Sequence, residues 1–192
     1  MNYSLNEYEA LAYKAARGCG LAWGLAEEAG KAVRTLSALG LESAPILLEA
    51  LENPSKQSVL EVGAQLCDSP DELSQITFPK PVNTPGILLA FIALSTATSD
   101  QCYCCKWENF EAYIKNQELF AVSLEGFNVT TATSLSIGIA KTPKGQKQVA
   151  LDRAIISDHH YAKLTALAFN TYAPSTEASR ISGAGAGLND ND

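Results

Sequence analysis

The stretch Gln101-Cys102-Tyr103-Cys104-Cys105-Lys106-Trp107-Glu108-Asn109-Phe110-Glu111-Ala112-Tyr113-Ile114 decides the fold class. Upstream of it the chain reads as helix. Here aromatic and β-branched residues gather on either side of a polar Glu108-Asn109 pair, the pattern of two strands joined by a tight turn. Strands are expected at 102–107 and 110–114, with a third at 119–124. Period-two alternation adds two more, at 135–139 and 148–151, and Pro143-Lys144-Gly145 between them has turn chemistry. These segments make a small, mainly antiparallel sheet with one face covered by helices.

Toward the N-terminus, Ser4 followed by Glu7 forms a capping box. Tyr8, Ala12, Ala15, Cys19, Ala22, Ala26, Ala29, Val33 and Leu36 then recur at steps of three and four. That spacing is one face of a helix, and its small side chains suit close helix packing. Gly18 and Gly20 interrupt it, each costing about 1 kcal/mol in a helix interior. Two helices are therefore expected, at 5–17 and 21–39, with Gly40 stopping the second. Pro45 opens a short helix that runs to Leu51 and is ended by Asn53-Pro54. The segment 55–85, with Pro70, Pro79, Pro81 and Pro85, reads as mainly connection. Thr84-Pro85 has the form of an N-cap followed by proline, and the uncharged stretch 87–98 after it reads as a buried helix.

Toward the C-terminus, Asp158 is the expected N-cap of a helix reaching about Tyr172, with Tyr161, Leu164, Leu167 and Ala168 facing inward. Pro174-Ser175 restarts a helical turn that carries Glu177 and Arg180 and closes at Gly183. The expectation is one α+β domain over 1–183: an N-terminal helical layer, a central sheet and a C-terminal helix. A Gly/Ala and acidic tail follows at 184–192.

Composition narrows the function classes. The 192 residues carry 14 Lys and Arg against 21 Asp and Glu, a net charge of −7, with 46% hydrophobic and 18% charged residues. A disordered chain would be poorer in apolar residues and richer in charge. A nucleic-acid footprint needs clustered Lys and Arg, which an acidic chain of this kind does not show. The longest apolar run, 87–94, is far short of the roughly 20 residues of a membrane-spanning helix. No basic segment leads into an apolar one at the N-terminus, so no signal peptide is read. Five cysteines are an odd number, and reduced thiols in the cytoplasm are the simplest expectation.

Four places carry candidate chemistry. Arg17, Gly18, Gly20, Trp23, Glu27 and Glu28 put a guanidinium, an indole, two carboxylates and bare backbone near one helix junction. Backbone N–H groups there, with Arg17 beside them, suit a small carboxylate or phosphate. Against this stands an ordinary packing role, with Glu27 paired to Lys31 at i,i+4. The cluster Cys102, Cys104 and Cys105 lacks the spacing of a zinc knuckle. In a strand Cys102 and Cys104 share one face and Cys105 takes the other, so buried thiols are expected and no metal. His159 and His160 are the only imidazoles available as general base, or else a polar first turn. Gly183-Ala184-Gly185-Ala186-Gly187 lacks the strand, helix and Lys-Ser/Thr of a phosphate loop. It is either a flexible helix stop or a segment that covers a ligand, with Glu177 and Arg180 as charged contacts. The sequence names no cofactor.

Two stretches resemble a family of uncharacterised bacterial proteins carrying a domain of unknown function. One is Ala15-Ala16-Arg17-Gly18-Cys19-Gly20-Leu21-Ala22-Trp23-Gly24-Leu25-Ala26-Glu27-Glu28-Ala29-Gly30-Lys31-Ala32. The other is Thr171-Tyr172-Ala173-Pro174-Ser175-Thr176-Glu177-Ala178-Ser179-Arg180 with Gly183 to Gly187 after it. The resemblance implies no activity, but both stretches are candidate sites in their own right, so they are expected to meet in space. The leading expectation is a pocket between them for a small anionic metabolite, holding Arg17, Glu28, Glu177, Arg180, Gly183 and Gly185. The alternative is an accessory or homo-oligomerising protein whose Ala/Gly helix face meets a partner chain.

Overall fold

The computed structural model describes residues 2–53, 58–69 and 73–172. Helix α1 (Leu5–Gly18) starts at the expected capping box: the Glu7 N–H donates to Ser4 Oγ at 3.2 Å, and the Ser4 N–H donates to Glu7 Oε2 at 2.8 Å. It ends in a Schellman motif, with the Leu21 N–H reaching the Ala16 carbonyl (3.2 Å) and the Gly20 N–H that of Arg17 (2.9 Å). That geometry needs a left-handed residue, and Gly20 supplies it at φ 88°. Helix α2 (Trp23–Ala38) closes in the same way at Gly40, φ 81°. It begins two residues later than the 21–39 expectation, because the Schellman turn takes up Gly20 and Leu21. Helix α3 is Ala44–Glu52.

The reading of 55–85 as mainly connection is overturned. A second capping box, Ser58 with Glu61, starts helix α4 (Val59–Asp68), and two short strands follow, β2 (Gln75–Thr77) and β3 (Val82–Asn83). Prolines confined to the flanks leave the ten residues of α4 free to bury Val59, Leu60, Gly63 and Leu66. Thr84 is not a side-chain cap. It sits at φ 47°, Pro85 holds the cap position, and helix α5 (Gly86–Ser95) follows. Residues 86–93 of α5 are all buried, as an uncharged helix demands.

The central sheet has the order β2-β8-β4-β5-β6-β9, every neighbouring pair antiparallel. Its strands are β4 (Cys102–Trp107), β5 (Phe110–Lys115), β6 (Glu118–Ser123), β8 (Ser136–Ala140) and β9 (Gln146–Lys147), with β2 at one edge. The β5–β6 turn places Asn116 and Gln117 at φ 51° and 60°, the two left-handed positions of a type I′ hairpin. Tyr103, Cys105, Trp107, Phe110, Ala112, Ile114, Leu119 and Ile137 face the same hydrophobic core as α5. Trp107 stacks on Phe110 with centroids 3.7 Å apart and donates Nε1–H to the Gly126 carbonyl at 2.7 Å. Strand β3 pairs with β7 (Thr131–Ala132) in a small separate ladder.

The expected strand at 148–151 is not one. Gln148 donates to Leu119 and Leu151 to the Ala38 carbonyl, so the chain leaves the sheet edge and is tied to the end of α2. The pairing partner is instead β10 (Arg153–Ile155), antiparallel to β1 (Asn2–Ser4). Helix α6 (Asp158–Phe169) then packs along α1. Its cap is Ser157, whose Oγ accepts the His160 N–H at 3.2 Å, rather than Asp158. Leu164 and Ala168 are buried as expected, while Tyr161 and Leu167 are half-buried. The architecture is α+β: a helical layer, a mainly antiparallel sheet and a final helix laid back on the first.

Candidate functional site

The Arg17 junction is built for closure. The Arg17 guanidinium lies over the Trp23 ring at 4.4 Å and donates Nη1–H to the Leu21 carbonyl. This cation–π and carbonyl contact pins the α1–α2 turn. Gly18 permits contact with α6: a Cβ there would stand 1.9 Å from the Leu167 carbonyl oxygen. Gly20 serves the Schellman turn. Trp23 is 67% exposed, and Glu27 is exposed on the outside of α2. Lys31 pairs with Glu28 at 2.8 Å (i,i+3) rather than with Glu27, and that bond raises the Lys31 ammonium pKa. Glu177, Arg180, Gly183 and Gly185 lie outside the described residues.

Most of the expected Ala stripe is buried inside the chain, with Ala22 exposed and Cys19 half-buried. Tyr8, Ala12, Ala15, Ala16, Ala26, Ala29 and Ala32 are at most 1% exposed. Small side chains let α1 and α2 approach until a Cβ on Gly30 would sit 3.0 Å from the Glu9 carbonyl oxygen. Along these residues the face is filled from within the chain.

The open space lies beside this stripe, where α1 faces α6. A groove of about 1060 Å³ runs between α1 and α6, lined by Tyr3, Glu7, Tyr8, Ala10, Leu11 and Lys14 on one wall. Tyr161, Thr165, Ala168, Phe169, Asn170 and Tyr172 form the other. At one end Tyr3 stacks on Tyr161 with centroids 4.4 Å apart and planes 4° from parallel. At the other, Phe169 (70% exposed) and Tyr172 (58% exposed) lie 5.4 Å apart, and Asn170 Nδ2 donates to the Gly18 carbonyl at 3.4 Å. Tyr8 sits at the floor, its hydroxyl 3.1 Å from Ser43 Oγ, and burial pushes that phenol's pKa up. Glu7 and Lys14 are the charged groups of the lining. Ser4 holds the Glu7 carboxyl below its ordinary range, chiefly through its hydroxyl hydrogen bond.

Neither Arg17 nor Trp23 lines this groove. Lys14, Tyr3, Phe169 and Tyr172 were not candidates from sequence, although their signal is there: Tyr3, Glu7, Ala10 and Lys14 repeat at helical steps beside the buried stripe, and Tyr161, Thr165, Ala168 and Tyr172 do the same.

Cys102 and Cys104 share one face of β4, and Cys105 points into the core. All five cysteines are free, and burial raises their thiol pKa values. Among the described residues no group of three His, Cys, Asp or Glu side chains could hold a metal ion. His159 is exposed. His160 Nδ1 is buried without a hydrogen-bond partner, 3.6 Å from Glu42 Oε1.

Residues 3–77 match a family described as a protein of unknown function (DUF3726). The match spans the helical layer from β1 to β2 and includes the junction around Arg17. It contains the α1 wall of the groove and ends before the α6 wall. No curated protein and no solved structure matches the chain. No helix among the described residues is long and apolar enough to cross a membrane.

Proposed function

We propose that this chain binds a small molecule in the α1–α6 groove, one with a flat apolar body and a single anionic group. The observation that carries this reading is the groove itself, about 1060 Å³ between two helices and walled by four aromatic residues, Tyr3, Tyr161, Phe169 and Tyr172. Ligand sites are typically concave, roughly 300–1,000 Å³, mostly apolar, with a few placed polar groups. The ring faces take the flat body. Lys14 supplies the counter-charge, the role that sequence reasoning gave to Arg17, because Arg17 is already engaged by Leu21 and Trp23.

The anilinonaphthalenesulfonate dye has this chemistry and serves as the probe. It should bind the folded chain with saturable fluorescence and raise its melting temperature, since a ligand of the native state stabilises it. Thr165→Trp, at an exposed position of the lining, should weaken binding about tenfold or more with stability kept within about 0.5 kcal/mol. Dye binding unchanged by this plug, or no saturable binding at all, defeats the reading.

A further inference from the structure

A second cavity, about 540 Å³, lies where α2 meets the end of α5, the Asn116–Gln117 hairpin turn and the 150–151 segment. It shares no lining residue with the α1–α6 groove. Its lining includes Leu39, Leu94, Ala97 and Leu151, and Lys31 and Arg34 are its cations. Arg34 Nη1 donates to Asn6 Oδ1 and, at 2.9 Å, to Glu9 Oε2. Among the described residues its Nε and Nη2 have no hydrogen-bond acceptor, and the side chain is 44% exposed. An unused guanidinium edge beside an apolar surface matches the planar fork of a carboxylate. Lys31 is hydrogen-bonded to Glu28, in an ion pair of two partly exposed side chains, with Glu27 and Glu9 also acting on its charge, and such pairs are weak enough to rearrange around a ligand.

We infer that this cavity binds a small monocarboxylate carrying a short apolar tail. The carboxylate bridges the Nε–Nη2 edge of Arg34 and the Lys31 ammonium, and the tail lies on Leu94, Ala97 and Leu151. A single negative charge is favoured over a phosphate dianion because Glu9 already stands in the lining and repels a second charge more strongly. The apolar surface rewards a tail that inorganic phosphate lacks.

The test titrates hexanoate, butanoate and inorganic phosphate onto the full chain, followed by calorimetry and amide chemical shifts. Hexanoate should bind more tightly than butanoate, and both more tightly than phosphate. Arg34→Gln should weaken hexanoate about tenfold or more, the cost of a charge-assisted pair. Ala97→Trp, which fills the cavity from an exposed position, should abolish binding while the circular dichroism spectrum is unchanged. Thr165→Trp in the groove should leave hexanoate binding intact, so a failure of the groove reading does not carry over to this site. Absence of hexanoate binding at millimolar concentration, phosphate binding as tightly as hexanoate, or equal affinity in Arg34→Gln and wild type overturns the inference.

Discussion

Helix α1 meets a helix on each of two faces, and the two contacts differ. Against α2 it presents Glu9 and Tyr13, and the opposing Gly30 brings the backbones nearly into contact. Against α6 it presents Leu11 and Lys14, with Tyr3 of β1 beside them, and the facing aromatic rings of α6 leave a groove. Side-chain volume makes the difference: small residues let backbones close and use up the face, whereas large rings hold the helices apart and leave usable space. At Gly18, α1 and α6 do touch, so the groove is pinned at one end by a backbone contact and at the other by the Tyr3–Tyr161 stack.

The sharpest way to break this contrast is to put bulk where the backbones touch. Gly18→Leu forces a side chain into the Leu167 carbonyl and should cost about 3 kcal/mol, read by urea denaturation. A loss below about 1 kcal/mol would show that α6 is not held against α1 there. Gly30→Leu tests the closed face. With a Cβ only 3.0 Å from the Glu9 oxygen, α1 and α2 must shift, and about 2 kcal/mol should be lost.

On the open face the effects should fall on binding. Lys14→Met should leave the urea midpoint unchanged and weaken the sulfonate dye about threefold, the worth of an exposed charge contact. Raising the salt concentration should remove that difference between the two proteins. The smallest effect belongs to Glu7. Its pKa is depressed in the folded chain by Ser4, so its contribution is present above the ordinary carboxylate range and is lost as pH falls through the depressed value. In Glu7→Ala the acid limb of the melting-temperature profile should flatten, and an unchanged limb would show that the capping box does not contribute.

The two faces were unequally legible. Ser4, Glu7, the Ala stripe and Gly40 mark the ends and the buried side of α1 and α2, because caps and helical periodicity are local signals that survive without tertiary context. Segment 148–151 misled for the opposite reason: its alternation is real, but its backbone groups bond to Leu119 and Ala38, contacts that no local pattern encodes. Helix α4 was obscured by flanking prolines, although Ser58 and Glu61 carried its capping signal. Among the site candidates, Arg17, Gly18, Gly20 and Trp23 were conspicuous for residue type, and the structure engages them in turn closure and helix contact. Lys14 and Tyr172 were inconspicuous because a residue becomes a groove wall only when another helix stands opposite.

By itself the sequence determined the α+β class, the break between α1 and α2 near Gly18, the helix stop at Gly40, the charge-free core helix and the antiparallel hairpin around Glu108–Asn109. Each rests on interactions within a few residues along the chain. Only the tertiary structure decided that most of the Ala stripe is buried, that α6 returns to α1, and that the two cavities open beside Lys14 and Arg34. Those features depend on how far apart two helix backbones settle, a distance set by side chains well separated in the chain, from Glu9 and Gly30 between α1 and α2 to the stacked rings of Tyr3 and Tyr161 beside α6.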